Sequence, residues 1–228
     1  MYESLTKEEN NHGKRVGVLL SGCGVFDGAE IHESVLTLLF LNKAGAEIVC
    51  MAPDMEFDAV NHLTQKPSGE KRNVLTESAR IARGNIRNLK DVKASDMDAL
   101  ILPGGFGAAK NLSDFAVKGP EATVQPEVRR ILSEMLSAKK PIGAICIAPA
   151  TVAKALADKK PEVTIGTDAG TAAAIEKTGA KHKSCSVDMI CIDNSNKIVT
   201  TPAYMLGPEI KDVAVGIEKL VNQIVAMI

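Results

Sequence analysis

The chain has 228 residues, 45% hydrophobic and 24% charged, with a formal net charge of −1, an ordinary composition for a globular protein with a large buried core. That charge provides no field to attract nucleic acid or an anionic membrane, and 3% aromatics without Trp leave little for base stacking. No apolar run reaches membrane-spanning length, so a small molecule is the expected partner, with neither nucleic acid nor membrane.

Residues 1–13 carry Glu3, Glu8 and Glu9 and no apolar centre, and read as a flexible polar tail rather than a signal or transit segment. Residues 14–20 form a short β-branched run that predicts a buried strand. Asp27 followed by Glu30 has capping-box spacing, and Ile31, Val35, Leu38 and Leu39 then keep helical spacing until Gly45. A second strand over 46–52 completes a βαβ unit, whose strands should be parallel. Residues 54–73 are polar and mixed in charge, and predict an irregular insertion or flap.

A short helix is expected over 74–83, then a buried strand over 98–102 that runs directly into Pro103-Gly104-Gly105. Val128, Ile131, Leu132, Met135 and Leu136 mark a helix face. Residues 141–145 predict a strand, followed by Cys146 and an alanine-rich helix over 148–157. The remainder reads as a short strand at 163–165, a helix near 171–178, a hairpin pairing 187–192 with 197–201, and a long C-terminal helix. Strands alternate with helices over the full length without a repeat or linker. Residues 14–228 are therefore expected to form one doubly wound α/β domain, its site beyond the carboxyl ends of the strands.

Three loops fall at that end of the sheet. In residues 21–28, Gly22, Gly24 and Gly28 miss the dinucleotide fingerprint by one position, so the loop reads as a close backbone approach. Pro103–Gly107 leaves backbone N–H groups unshielded, able to face an anionic oxygen. Cys146, between a strand and a helix with small Ala148 after it, has the pattern of a nucleophile elbow. A helix N-terminus there should lower its pKa, and the N–H groups of Gly105 and Ile147 would form an oxyanion hole. Glu33 is a candidate proton partner, though its spacing leaves a cleft-facing and a solvent-facing carboxylate equally open.

Cys50 and Cys191 lie within apolar strand runs and read as core thiols. The five cysteines, at 23, 50, 146, 185 and 191, are odd in number and lack CxxC spacing, while the four histidines lie far apart. No disulfide framework, metal or cofactor is therefore expected, and the cytoplasm is the expected compartment. Cys23 lies in a loop at the same sheet end as Cys146. The helix beginning at Ile31 is apolar on more than one face, which points to a homodimer.

The strings GVLLSGCGVFDGAEIHE (17–33), ALILPGGFGAAKNL (99–112), CIAPA (146–150), TIGTD (164–168) and KIVTTPAYML (197–206) give the chain a clear family likeness over residues 14–228. It resembles the PfpI-type, class I glutamine amidotransferase-like superfamily and, within it, the enhancing-lycopene-biosynthesis proteins, also called isoprenoid biosynthesis or sigma cross-reacting proteins. The resemblance implies a flavodoxin-like sandwich with a mainly parallel sheet and helices on both faces. It also implies an elbow cysteine at Cys146 hydrogen-bonded to Glu33 and, in some members, glutathione-independent glyoxalase or deglycase-like activity on small α-oxoaldehydes such as methylglyoxal or glyoxal. Two features depart from the superfamily: Gly166 stands where relatives often have a histidine, and the C-terminal region lacks the His-x-Glu of amidotransferases. Glutamine hydrolysis is thus disfavoured, leaving Asp168 and His182 as the polar groups that could reach the cleft. A redox-sensing or regulatory role for the same cysteine is the alternative.

Overall fold

The computed structural model describes residues 13–228; the polar tail expected over 1–13 falls, but for Gly13, outside them. Strand β1 (Arg15–Leu19) leads into helix α1 (Ile31–Lys43), and β2 (Glu47–Ala52) returns parallel to β1. The predicted βαβ unit is present, but its cap differs. Glu30, not Asp27, is the N-cap of α1, its carboxylate accepting from the Glu33 N–H at 2.7 Å. Asp27 instead accepts from the N–H of Val60 at 2.8 Å.

Residues 54–73 are more ordered than their composition predicts. They form an antiparallel hairpin of β3 (Glu56–Asn61) and β4 (Lys66–Asn73). Phe57 and Ala59 turn inward, while β4 is exposed almost throughout. Its polar sequence lacks a strand signature because only one face of the hairpin meets the core. His62 clips the hairpin to the Gly-rich loop by accepting from the N–H of Phe26 at 3.2 Å.

Helix α2 (Val74–Ile81) and the short β5 (Arg87–Asn88) follow, then β6 (Ala99–Leu102), α3 (Phe106–Lys110), α4 (Phe115–Lys118) and α5 (Pro126–Ser137). Next come β7 (Ile142–Ile145), α6 (Ala148–Ala155), β8 (Glu162–Val163), α7 (Ala169–Lys177) and β9 (Lys181–His182). The chain ends in β10 (Cys191–Asp193), β11 (Ile198–Thr201) and α8 (Ile210–Met227). The C-terminal hairpin is shorter than predicted. Residues 187–190 stay outside the ladder, and Thr201 donates its hydroxyl to the Met189 carbonyl at 2.8 Å.

The main sheet has the order β10-β11-β7-β6-β1-β2-β5 and is parallel except for β10. Alternate residues of each strand feed two cores. Leu100 and Leu102 pack with α5 and α6 on one face, while Ile101 packs with α1 and α8 on the other. This is the flavodoxin-like sandwich, and it brings the carboxyl ends of β1, β6 and β7 side by side.

Candidate functional site

At the end of β7, Cys146 takes a φ of +62°. A residue with a side chain is strained there by about 1–3 kcal/mol. The Cys146 N–H donates to the Thr201 carbonyl at 3.0 Å, which ties the turn to β11, and α6 begins at Ala148. The sharp turn brings the residue to the wall of a cleft, in the arrangement of a nucleophile elbow. Cys146 is only 8% exposed.

Glu33 comes from the first turns of α1 and has no solvent exposure. One carboxylate oxygen accepts from the Gly104 N–H at 2.9 Å and the other from the Tyr204 N–H at 3.3 Å. The same side chain lies beside Cys146: a Cβ placed on Gly104 would meet both Cβ of Cys146 and Oε2 of Glu33. The ambiguity left by sequence spacing is resolved: Glu33 faces inward. The Gly104 carbonyl in turn accepts from the Glu30 N–H at 2.9 Å, so α1 and the β6 loop are laced together at the site.

The N–H groups of Gly105 and Ile147 lie toward the Cys146 sulfur and favour its thiolate, the position an oxyanion hole beside this thiol would need. The expected lowering of the thiol pKa does not occur. Burial first, and then the Glu33 carboxylate, push the Cys146 thiol well above its ordinary range, and the two N–H groups offset this only in part. A terminus as short as α6 offers cannot outweigh the loss of water around sulfur. Burial, followed by the nearby Glu30 carboxylate, also raises Glu33 to about 8. The resting pair near neutral pH is therefore a thiol beside a carboxyl group that titrates close to the working range.

The cleft over this pair has a volume of about 570 Å³, and its lining includes Cys146, Glu30, Thr171 and Tyr204. Tyr204 went unnoticed in the sequence, where only its place in the KIVTTPAYML string marked it. It matters through its main chain, which holds Glu33, and its hydroxyl lies 2.6 Å from Nδ1 of His32. His32 does point away from Glu33, as adjacent helix positions should, yet it meets the rim of the cleft through that tyrosine.

The other two polar candidates have local duties. Asp168 caps α7, accepting from the Thr171 N–H at 2.8 Å and its hydroxyl at 2.6 Å, which holds its carboxyl below the usual range. His182 accepts from the Ile165 N–H through Nε2 at 3.1 Å, and burial lowers its pKa. Neither lines the cleft. The described cysteines, Cys23, Cys50, Cys146, Cys185 and Cys191, are all free thiols. Cys50 and Cys191 are buried, as expected of core thiols. Among the described residues no group of three or more His, Cys, Asp or Glu side chains could hold a metal ion, and no helix is long and apolar enough to cross a membrane.

Comparison with known proteins places this geometry among relatives. A model of the DJ-1/PfpI family matches residues 22–206. The ES1 protein homolog, mitochondrial, of Rattus norvegicus is 47% identical over 224 residues, covering 93% of this chain and 84% of the relative. A crystal structure of an isoprenoid biosynthesis protein with an amidotransferase-like domain from Ehrlichia chaffeensis superposes with a TM-score of 0.89 at 37% identity, covering 94% of this chain and 99% of the other. A glyoxalase III from Candida albicans shares the fold at a TM-score of 0.62 and 17% identity, over 94% of this chain and 97% of that one.

Proposed function

The chain belongs to the DJ-1/PfpI family, and from that premise we propose that it is a cofactor-independent, glyoxalase-like enzyme that converts small α-oxoaldehydes to hydroxy acids through Cys146. The observation that carries this reading is the adjacent pair of Cys146 and buried Glu33 at an open cleft, with the N–H groups of Gly105 and Ile147 toward the sulfur. The fold shared with a glyoxalase III is consistent with it.

The chemistry closes with these residues and water. The Cys146 sulfur adds to the aldehyde carbon as its proton passes to the Glu33 carboxylate, and the former carbonyl oxygen, held by the N–H groups of Gly105 and Ile147, is protonated to give a hemithioacetal. Glu33 then takes the proton from that carbon and returns it to the neighbouring carbon through an enediol. The resulting thioester is hydrolysed by water, which releases the hydroxy acid and restores the thiol. With methylglyoxal the expected product is lactate, formed without glutathione. An assay of the purified protein that yields no lactate above the spontaneous background overturns the proposal.

Two neighbouring readings have less support. Amidotransferase chemistry needs a histidine at the cysteine, and His182 is committed to Ile165. A redox sensor needs a resting thiolate, which the burial of Cys146 opposes. The exposed stripe of Ile31, Val35 and Leu39, each between 44% and 50% exposed, supports a homodimer through α1. Sedimentation is expected to give twice the chain mass, and Val35→Glu should return it to the monomer; a wild-type monomer at high concentration would contradict this.

A further inference from the structure

The walls of the cleft carry information about what is attached to the reacting carbonyl. Resting on the function proposed above, we infer that the preferred substrate is an uncharged α-oxoaldehyde with a bulky apolar group, aryl or medium-chain alkyl, rather than methylglyoxal, glyoxal or a carboxylate-bearing aldehyde. Three observations support this.

The first is size. At about 570 Å³ the cleft falls in the range that encloses ligands much larger than a triose-sized aldehyde. A water molecule takes about 30 Å³ of liquid volume, so methylglyoxal would leave most of the cleft to solvent.

The second is the lining. Val25, Phe106, Phe115, Ile147, Ala174 and Met205 line the cleft together with Cys146 and make its wall mainly apolar. Each methylene buried against such a surface favours binding by about fourfold.

The third is charge. Among the lining residues the one charged side chain is the acidic Glu30, and Glu33 lies directly behind it. The basic groups on the two helices that bring Phe106 and Phe115 to the cleft are already engaged. Lys110 stacks over the ring of Phe106 at 5.0 Å from its centroid, and Lys118 pairs with Asp114 at 2.8 Å. A carboxylate entering the cleft would lose water and gain no cation, which discriminates against it.

The test uses the full-length protein in two arms. In the first, kcat/KM is measured for phenylglyoxal, methylglyoxal and 4-carboxyphenylglyoxal. The expected order places phenylglyoxal at least tenfold above methylglyoxal and at least tenfold above 4-carboxyphenylglyoxal, and Ala174→Phe, which fills the apolar wall, brings the first ratio toward one. In the second, alkylation of Cys146 by N-phenylmaleimide and by maleimidoacetic acid is followed by peptide mass spectrometry, each rate divided by that of free cysteine. A phenyl preference of at least tenfold is expected.

Turnover of methylglyoxal with no gain for phenylglyoxal would overturn the substrate class and leave the proposed reaction standing. If no aldehyde is turned over, the reaction fails, and the alkylation arm decides alone whether the cleft selects apolar, uncharged molecules. An absent or reversed phenyl preference would then overturn the inference.

Discussion

Replacing Glu33 with Gln should raise stability at alkaline pH while removing at least about 99% of turnover. In the folded protein Glu33 titrates near 8, well above the ordinary carboxyl value of about 4.3. The folded state therefore holds this proton where the unfolded chain has lost it. The stability that the carboxyl contributes is fully present below the unfolded pKa and is lost as pH rises through 8, on the order of 4 kcal/mol in all. Gln cannot ionise, and its side-chain oxygen can still accept from Gly104 or Tyr204. The stability difference between Glu33→Gln and wild type should widen by that amount between pH 5 and pH 9 in urea unfolding, and parallel profiles would contradict the account. Turnover moves the other way. A group that must accept the thiol proton is lost, which typically costs about a hundredfold or more. Wild-type turnover should itself climb as pH approaches 8 and Glu33 becomes a carboxylate.

The second large effect is expected at Gly104→Ala. This glycine is required by space. A Cβ there would lie 2.4 Å from Cβ of Cys146, 2.6 Å from Oε2 of Glu33 and 2.8 Å from the carbonyl oxygen of Ile145. None of these atoms can retreat cheaply. Cys146 is fixed by the elbow, Ile145 by the sheet, and Glu33 by the two N–H groups that hold its carboxylate. Overpacking of this kind costs about 1–3 kcal/mol, so the unfolding midpoint should fall by about 2–12 °C. Turnover should fall further than stability alone explains, because Glu33 must leave the Gly104 N–H. A variant with wild-type turnover and midpoint would show that the thiol and the carboxylate are not packed as described.

The order of elements and the elbow at Cys146 were legible because both are local patterns: strand, small or nucleophilic residue, helix. The depth of Glu33 was not. Helix α1 inverts the usual relation between polarity and burial. Glu33, Ser34 and Thr37 are fully buried, while Ile31, Val35 and Leu39 are about half exposed. Ser34 and Thr37 satisfy their hydroxyls on carbonyls of their own helix, those of Glu30 and Glu33, at 2.7 Å each. Such bonds remove the cost of burying polar groups, and apolar periodicity cannot reveal them. The hairpin of β3 and β4 escaped notice for a related reason, since most of its residues face water and carry no strand signature. Tyr204 was hidden because its contribution is a main-chain N–H, which any residue type would offer. The thiol pKa was misjudged because a helix terminus is visible in sequence and the burial of a sulfur atom is not.

The account rests on Cys146 as the reacting atom, and its most direct test compares wild type with Cys146→Ala in one assay of lactate formed from methylglyoxal without glutathione. Cys146→Ala keeps a small side chain at the elbow, so circular dichroism should show the fold intact. Lactate formation should fall to the spontaneous background. Equal rates for a folded Cys146→Ala and the wild type would contradict the account.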